Sequence, residues 1–148
     1  GNVMKESAKI ALDYIKSNYE KFNIDIENLN DKTIHIHVPE GAIEKEGPSA
    51  GVTLTTALIS LLTNTKISSK ISMTGEITLT GKVLAIGGLK EKIIGAYRAG
   101  VTKVFIPVEN EKDLQEIPEN IKEKIEFILV DTYMDIYNKL KENKKSKK

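Results

Sequence analysis

The chain has 148 residues and a formal net charge of +1, enough length to bury one hydrophobic core without the sequence-wide basic field of a dedicated nucleic-acid binder. It contains no cysteine, which excludes disulfide scaffolds, cysteine-ligated metals and thiol nucleophiles. No stretch reaches the ~20 apolar residues that span a bilayer and no secretory signal opens the chain, so a cytoplasmic setting is expected, or an organelle matrix. The charge is uneven: Lys139–Lys148 holds six Lys and one Glu, a local +5 that leaves −4 on the rest. Residues 142–148 therefore read as a basic, disordered tail, with a phosphate-binding arm as the alternative, and residues 1–141 read as one domain.

Met4, Ala8, Ala11, Leu12, Ile15, Tyr19 and Phe22 recur at helical spacing and predict an amphipathic helix over roughly the first twenty residues. Asn30-Asp31 marks a turn. Thr33 to Val38 alternates, with Ile34, Ile36 and Val38 on one face and His35 and His37 on the other, as a strand does. Pro39 to Pro48 is broken by proline and glycine and reads as a loop. Ala50, Leu54, Ala57, Leu58, Leu61 and Leu62 then mark a second helix, rich in β-branched residues that only tertiary burial would hold helical.

Ile71 to Ile86 reads as two strands joined by a turn at Thr80-Gly81. After Gly87-Gly88, a third helix runs from Leu89 to Ala99 and ends at Gly100. A strand over Lys103 to Val108, helical turns around Pro118 and a strand over Phe127 to Val130 follow. The last helix starts at Thr132, a good N-cap residue, and runs to about Leu140. The fold class expected from this order is α+β, a mixed sheet with packed helices.

The most unusual segment is Gly47-Pro48-Ser49-Ala50-Gly51. It delivers Ser49 to the first turn of a helix, where unpaired backbone N–H groups and the positive end of the helix dipole lie. An oxyanion hole needs such donors fixed in advance. The plainer alternative is that Ser49 only caps the helix. The five residues also match G-x-S-x-G, the nucleophile elbow of α/β-hydrolases, but that motif follows a strand and its histidine comes after the serine. Both histidines here precede Ser49, so that reading fails on order. His35 and His37 share a strand face and form an H-x-H pair, yet no third ligand stands at a suitable spacing, and no metal site is expected.

With histidine excluded, lysine is the remaining base. A lysine serves only if burial lowers its pKa enough to leave a neutral amine. Lys90 and Lys92 flank the apolar stripe of the third helix equally. The small neighbours of Lys92 (Gly88, Gly95, Ala96 and Ala99) leave room for another element to pack over it, while an exposed lysine is the default reading.

His35 to Gly51 reads H-I-H-V-P-E-G-A-I-E-K-E-G-P-S-A-G, and Met73 to Ile94 reads M-T-G-E-I-T-L-T-G-K-V-L-A-I-G-G-L-K-E-K-I-I. The two blocks resemble, in order and separation, the signatures of the Lon protease peptidase domain. The resemblance runs from V-M-K-E-S in the first helix through F-I-P-V-E-N at Phe105 to Asn110 and I-P-E-N at Ile117 to Asn120. It implies Ser49 as nucleophile, Lys92 as general base and Thr74 as the residue hydrogen-bonded to that base. The backbone N–H groups of Ser49 and Ala50 would form the oxyanion hole. Glu46 stands where the family usually has Asp, and His37 lies in a supporting position near the site.

The resemblance further implies a fold similar to a ribosomal small-subunit domain and the GHMP kinases. It implies unfolded or damaged proteins as substrates and a hexameric ring, with no membrane or nucleic-acid partner for this domain. An ATPase module using ATP and Mg precedes the peptidase domain in the family, and the match begins inside that domain, so the chain is expected to be a fragment of it. Two other classes compete with this one. A non-catalytic Lon-like interaction domain fits poorly with retention of both Ser49 and Lys92. A small-molecule kinase would need a longer phosphate loop than G-P-S-A-G, without Pro48. No G-x-x-x-x-G-K-[ST] occurs, so no cofactor is expected in this chain. Calorimetric titration with Mg-ATP should accordingly give no saturable isotherm, and a clear one would contradict the reading.

Overall fold

The computed structural model of the chain describes residues 2–25, 27 and 51–146. The turn at Asn30-Asp31, the strand Thr33 to Val38 and the loop Pro39 to Pro48 lie outside the described residues.

Helix α1 (Asn2–Ser17) presents Ala11, Tyr14 and Ile15 to the interior, as its spacing predicts. A 3-10 turn (Tyr19–Phe22) follows and ends at Asn23, whose φ of 56° places it in the left-handed region that asparagine tolerates. Helix α2 (Gly51–Thr63) is apolar on most faces and buries Val52, Leu54, Leu58, Ile59 and Leu62. Its threonines are accommodated by bonding back along the helix, Thr55 Oγ1 to Gly51 O at 2.8 Å and Thr63 Oγ1 to Ile59 O at 2.7 Å.

The stretch expected as two strands is three. Strand β1 (Ile71–Met73) stops at Thr74, and β2 (Glu76–Ile77) pairs antiparallel with β3 (Val83–Leu84). The break is steric in origin. Gly75 has φ of 145°, and a Cβ there would sit 2.7 Å from Val83 Cγ1, so the chain turns at the one residue without a side chain. The hairpin closes through Gly81 N–H to Thr78 O at 3.0 Å and Thr78 N–H to Lys82 O at 3.0 Å.

Helix α3 (Leu89–Arg98) is followed by β4 (Lys103–Pro107), a long 3-10 segment (Val108–Glu116), the short helix α4 (Glu119–Lys122), β5 (Glu126–Val130) and α5 (Tyr133–Ser146). Among the described residues the strands form two small sheets where one mixed sheet was expected. One is parallel with order β1-β4-β5, and the other is the β2-β3 pair. Helices packed on small sheets bear out the α+β class. The last helix passes the expected end at Leu140, so residues 142–146 of the expected tail are helical. Its start is capped in reverse of expectation: Asp135 Oδ2 accepts the backbone N–H of Thr132 at 3.0 Å and of Asp131 at 2.9 Å. No helix among the described residues is long and apolar enough to cross a membrane.

The central strand β4 is buried on both sides, the usual fate of a parallel strand between helical layers. Phe105 joins a core with α1, α2 and α5, whereas Val104 and Ile106 join a second core with Leu89 and Ile93 of α3 and Ile117, Ile121 and Ile125. Successive strand residues face opposite sides, so the sheet separates the two cores.

Within the first core, Tyr14, Phe22, Tyr133 and Tyr137 pack edge to face with centroids 4.9–5.9 Å apart. The Tyr133 hydroxyl lies 2.6 Å from Thr56 Oγ1, which also donates to Met73 Sδ at 3.0 Å. Burial raises the Tyr133 phenol far above its ordinary value, and burial raises Tyr14 and Tyr137 as well. The unfolded chain ionises these phenols near pH ~10 while the folded one resists. The stability they contribute is full below pH ~10 and is lost as pH rises from there towards the folded-state values. Tyr133→Phe is expected to lower stability at neutral pH by about 1 kcal/mol, a fall of about 3 °C in thermal midpoint, and to flatten the decline above pH ~10. Thermal unfolding of both chains from pH 7 to 11 measures it; an unchanged alkaline slope refutes the assignment.

Candidate active site

Ser49, Ala50, Glu46, His35 and His37 lie outside the described residues, which begin again at Gly51. The start of α2 is nonetheless tightly held. The Val52 N–H donates to Gly75 O at 3.1 Å, and Thr53 Oγ1 donates to Met73 O at 3.3 Å. Gly51 lies directly on β2: a Cβ there would come 2.8 Å from the Ile77 backbone nitrogen and 3.1 Å from Ile77 Cγ2. The helix therefore begins against the point where β1 ends and the chain turns into β2.

Thr74 occupies that point. Its N–H donates to Phe105 O at 3.1 Å, tying it to the central strand. The residue is 6% exposed, and its Oγ1 is fully buried with no hydrogen-bond partner among the described residues. The expected bond to Lys92 is thus not formed in this structure. A buried hydroxyl left unpaired costs about 1–3 kcal/mol, so this one asks for an explanation.

The two candidate lysines separate. Lys90 is exposed and Lys92 is half-buried, on a helix anchored by Leu89 and Ile93. The small neighbours do not act as expected. Gly88, Gly95 and Ala99 are exposed, and no described atom lies within 4 Å of where a Gly95 Cβ would sit, so no described element packs closely there. Burial along the helix distinguishes Lys92, and close packing of small residues does not.

Sequence reasoning missed Asn110, which is 1% exposed. Its Oδ1 accepts the Ile86 N–H at 2.9 Å and its Nδ2 donates to Ile86 O at 2.9 Å, two residues ahead of Gly88, the N-cap of α3. Nothing in F-I-P-V-E-N distinguishes such an asparagine from one that forms a turn. No group of three or more His, Asp or Glu that could hold a metal occurs among the described residues.

Residues 1–142 match the family model described as Lon protease (S16) C-terminal proteolytic domain. The chain belongs to that family. It is 59% identical over 135 residues to the Lon protease of Clostridioides difficile (strain 630), covering 91% of this chain and 17% of that protein. It is 57% identical over 144 residues to the Lon protease of Mycoplasmopsis agalactiae, covering 97% of this chain and 14% of that protein. The Lon protease of Malacoplasma penetrans is 54% identical over 137 residues, 93% of this chain and 18% of its own length. The chain thus spans between 14% and 18% of these curated relatives.

The seat of Gly51 carries a stability prediction. Gly51→Ala forces a methyl group against the Ile77 backbone and is expected to destabilise by about 1–3 kcal/mol, more than any helix-propensity gain at a terminal position. Denaturant unfolding of the two chains tests this, and an equal or higher midpoint for the alanine chain would be the wrong outcome.

Proposed function

We propose that this Lon proteolytic domain is a serine-lysine endopeptidase, with Ser49 as nucleophile, Lys92 as general base and Thr74 as the group that orients the base. The observation that carries the reading is the bond from Val52 N–H to Gly75 O. It fastens the residue three positions after Ser49 to the residue next to Thr74, which supports a short path in the chain between nucleophile and orienting hydroxyl. The buried Thr74 Oγ1, without a hydrogen-bond partner among the described residues, supports it further, because such a hydroxyl suits a partner that moves in during the reaction. Half-burial of Lys92 beside an exposed Lys90 favours the second lysine of G-G-L-K-E-K.

In this mechanism a neutral Lys92 accepts the Ser49 proton as the hydroxyl oxygen attacks the scissile carbonyl. Backbone N–H groups of Ser49 and Ala50 stabilise the oxyanion. The protonated lysine gives its proton to the leaving amine, and a water deprotonated by the same lysine then hydrolyses the acyl-enzyme. Glu46 and His37 would support the loop around the nucleophile. The substrates are segments of unfolded or damaged protein, taken as extended strands along a sheet edge. Residues 1–141 act as the peptidase domain, of a fold similar to a ribosomal small-subunit domain and the GHMP kinases. The parent protein would be a cytoplasmic hexameric ring whose separate ATPase module binds ATP and Mg.

Ser49→Ala and Lys92→Met are each expected to abolish hydrolysis of a short unstructured peptide, whereas Lys90→Met keeps it. Lys92→Met, which retains the aliphatic bulk, should be at least as stable as the parent at neutral pH. Peptidase rates and thermal midpoints of the four chains decide it. An active Lys92→Met chain, or a folded but dead Lys90→Met chain, would overturn the mechanism.

A further inference from the structure

Helix α3 begins without a side-chain cap of its own. The chain reaches it through Gly87 and Gly88, both exposed, and no described atom lies within 4 Å of a Cβ built at Gly87. Two unpacked glycines make a joint with wide backbone freedom. Burial of Leu89 and Ile93 sets how the helix rolls against the second core, but apolar contact is non-directional and does not define where the first turn starts. On the upstream side the approach is fixed at Ile86, by Asn110.

We propose that Asn110 is a positioning residue for Lys92: its side-chain amide clamps both backbone groups of Ile86 and so sets where the helix carrying the base begins. The inference rests on the peptidase reading of Lys92. The clamp is complete. Oδ1 takes the Ile86 N–H and Nδ2 gives to Ile86 O, each at 2.9 Å, while the second Nδ2 hydrogen goes to Asp113 Oδ2 at 2.7 Å. The Asp113 carboxylate accepts only, so it dictates which end of the amide faces which backbone group. Asparagine is needed for this. Aspartate would set a carboxylate oxygen against both the Ile86 carbonyl and Asp113, and alanine would leave two partly buried backbone groups without these bonds. From Ile86 the chain has two glycines before Leu89, and the Lys92 N–H then closes the first helical turn on Gly88 O at 3.2 Å. Only two residues separate Ile86 from Leu89, so a shift of the clamp changes the span they must bridge and with it the first turn, where Lys92 sits.

The test compares the parent, Asn110→Asp and Lys92→Met chains by kinetics on a short unstructured peptide, thermal unfolding and amide hydrogen exchange. Asn110→Asp is expected to unfold cooperatively, to hold KM within about two-fold and to lower kcat by about ten-fold or more. Exchange at the Lys92 and Ile93 amides should quicken by about ten-fold, with Phe105 and Ile106 of β4 unchanged. A purely structural asparagine would instead lower protection throughout and leave the kcat-to-KM pattern alone. Unchanged kcat, or unchanged exchange at Lys92 in the folded variant, overturns the inference. A parent chain that cleaves nothing removes the peptidase reading, and exchange at Lys92 still decides the clamp. Should Asn110→Asp fail to fold, Asp113→Ala takes its place: it keeps both Ile86 bonds but removes the acceptor that orients the amide, and a smaller change of the same sign is expected. No change there also overturns the proposal.

Discussion

At Gly51 the first described residue of α2 lies against the main chain of Ile77, so close that a Cβ would come 2.8 Å from the Ile77 nitrogen. No side chain fits between them, so helix and hairpin meet at a fixed spacing instead of one negotiated by rotamers. The bonds from Val52 to Gly75 and from Thr53 to Met73 then fix direction as well as distance. Thr74 is caught between these two acceptors and is itself tied to Phe105. A strand that ran on past Met73 would have carried Thr74 and Gly75 into a regular ladder and taken away the carbonyls that hold the helix. The strand break is thus a requirement of the helix seat, and glycine at two positions is what both demand.

Most of the element order was legible because apolar spacing reports burial directly. The helices of Asn2–Ser17 and Leu89–Arg98 and the strands of Lys103–Pro107 and Glu126–Val130 all follow it. What failed did so where tertiary geometry outranks pattern. Ile71 to Ile86 alternates well enough to pass for two strands, and only the close contact of Gly75 with Val83 reveals the third. Sheet partners were illegible for a related reason: β1 pairs with β4 across more than thirty intervening residues, and nothing local encodes that. The helix continues past Leu140 to Ser146, where the run of lysines reads as a tail; Lys139 to Glu142 and Lys141 over Tyr137 are contacts at helical spacing.

The candidate site was legible through resemblance more than through residue physics. Ser49 alone reads as a cap, and Lys90 and Lys92 are equivalent on a wheel. The structure adds burial, which parts the lysines, and a buried hydroxyl with no partner among the described residues, which marks Thr74. Asn110 stayed hidden because its partner is backbone. A side chain that bonds to main chain leaves no signature in the partner's residue type, so Ile86 gave no hint of it.

The helix that begins beside Ser49 packs in the core under one face of the parallel sheet, and the helix bearing Lys92 packs in the core on the other. Among the described residues the sheet lies between these two helices, with Phe105 of β4 facing one layer and Val104 and Ile106 facing the other. The two helices are like parts mounted on opposite sides of one plate. A repacked side chain in either core is then felt first by one of them, so the helix that starts at Gly51 and the helix that bears Lys92 can be adjusted separately.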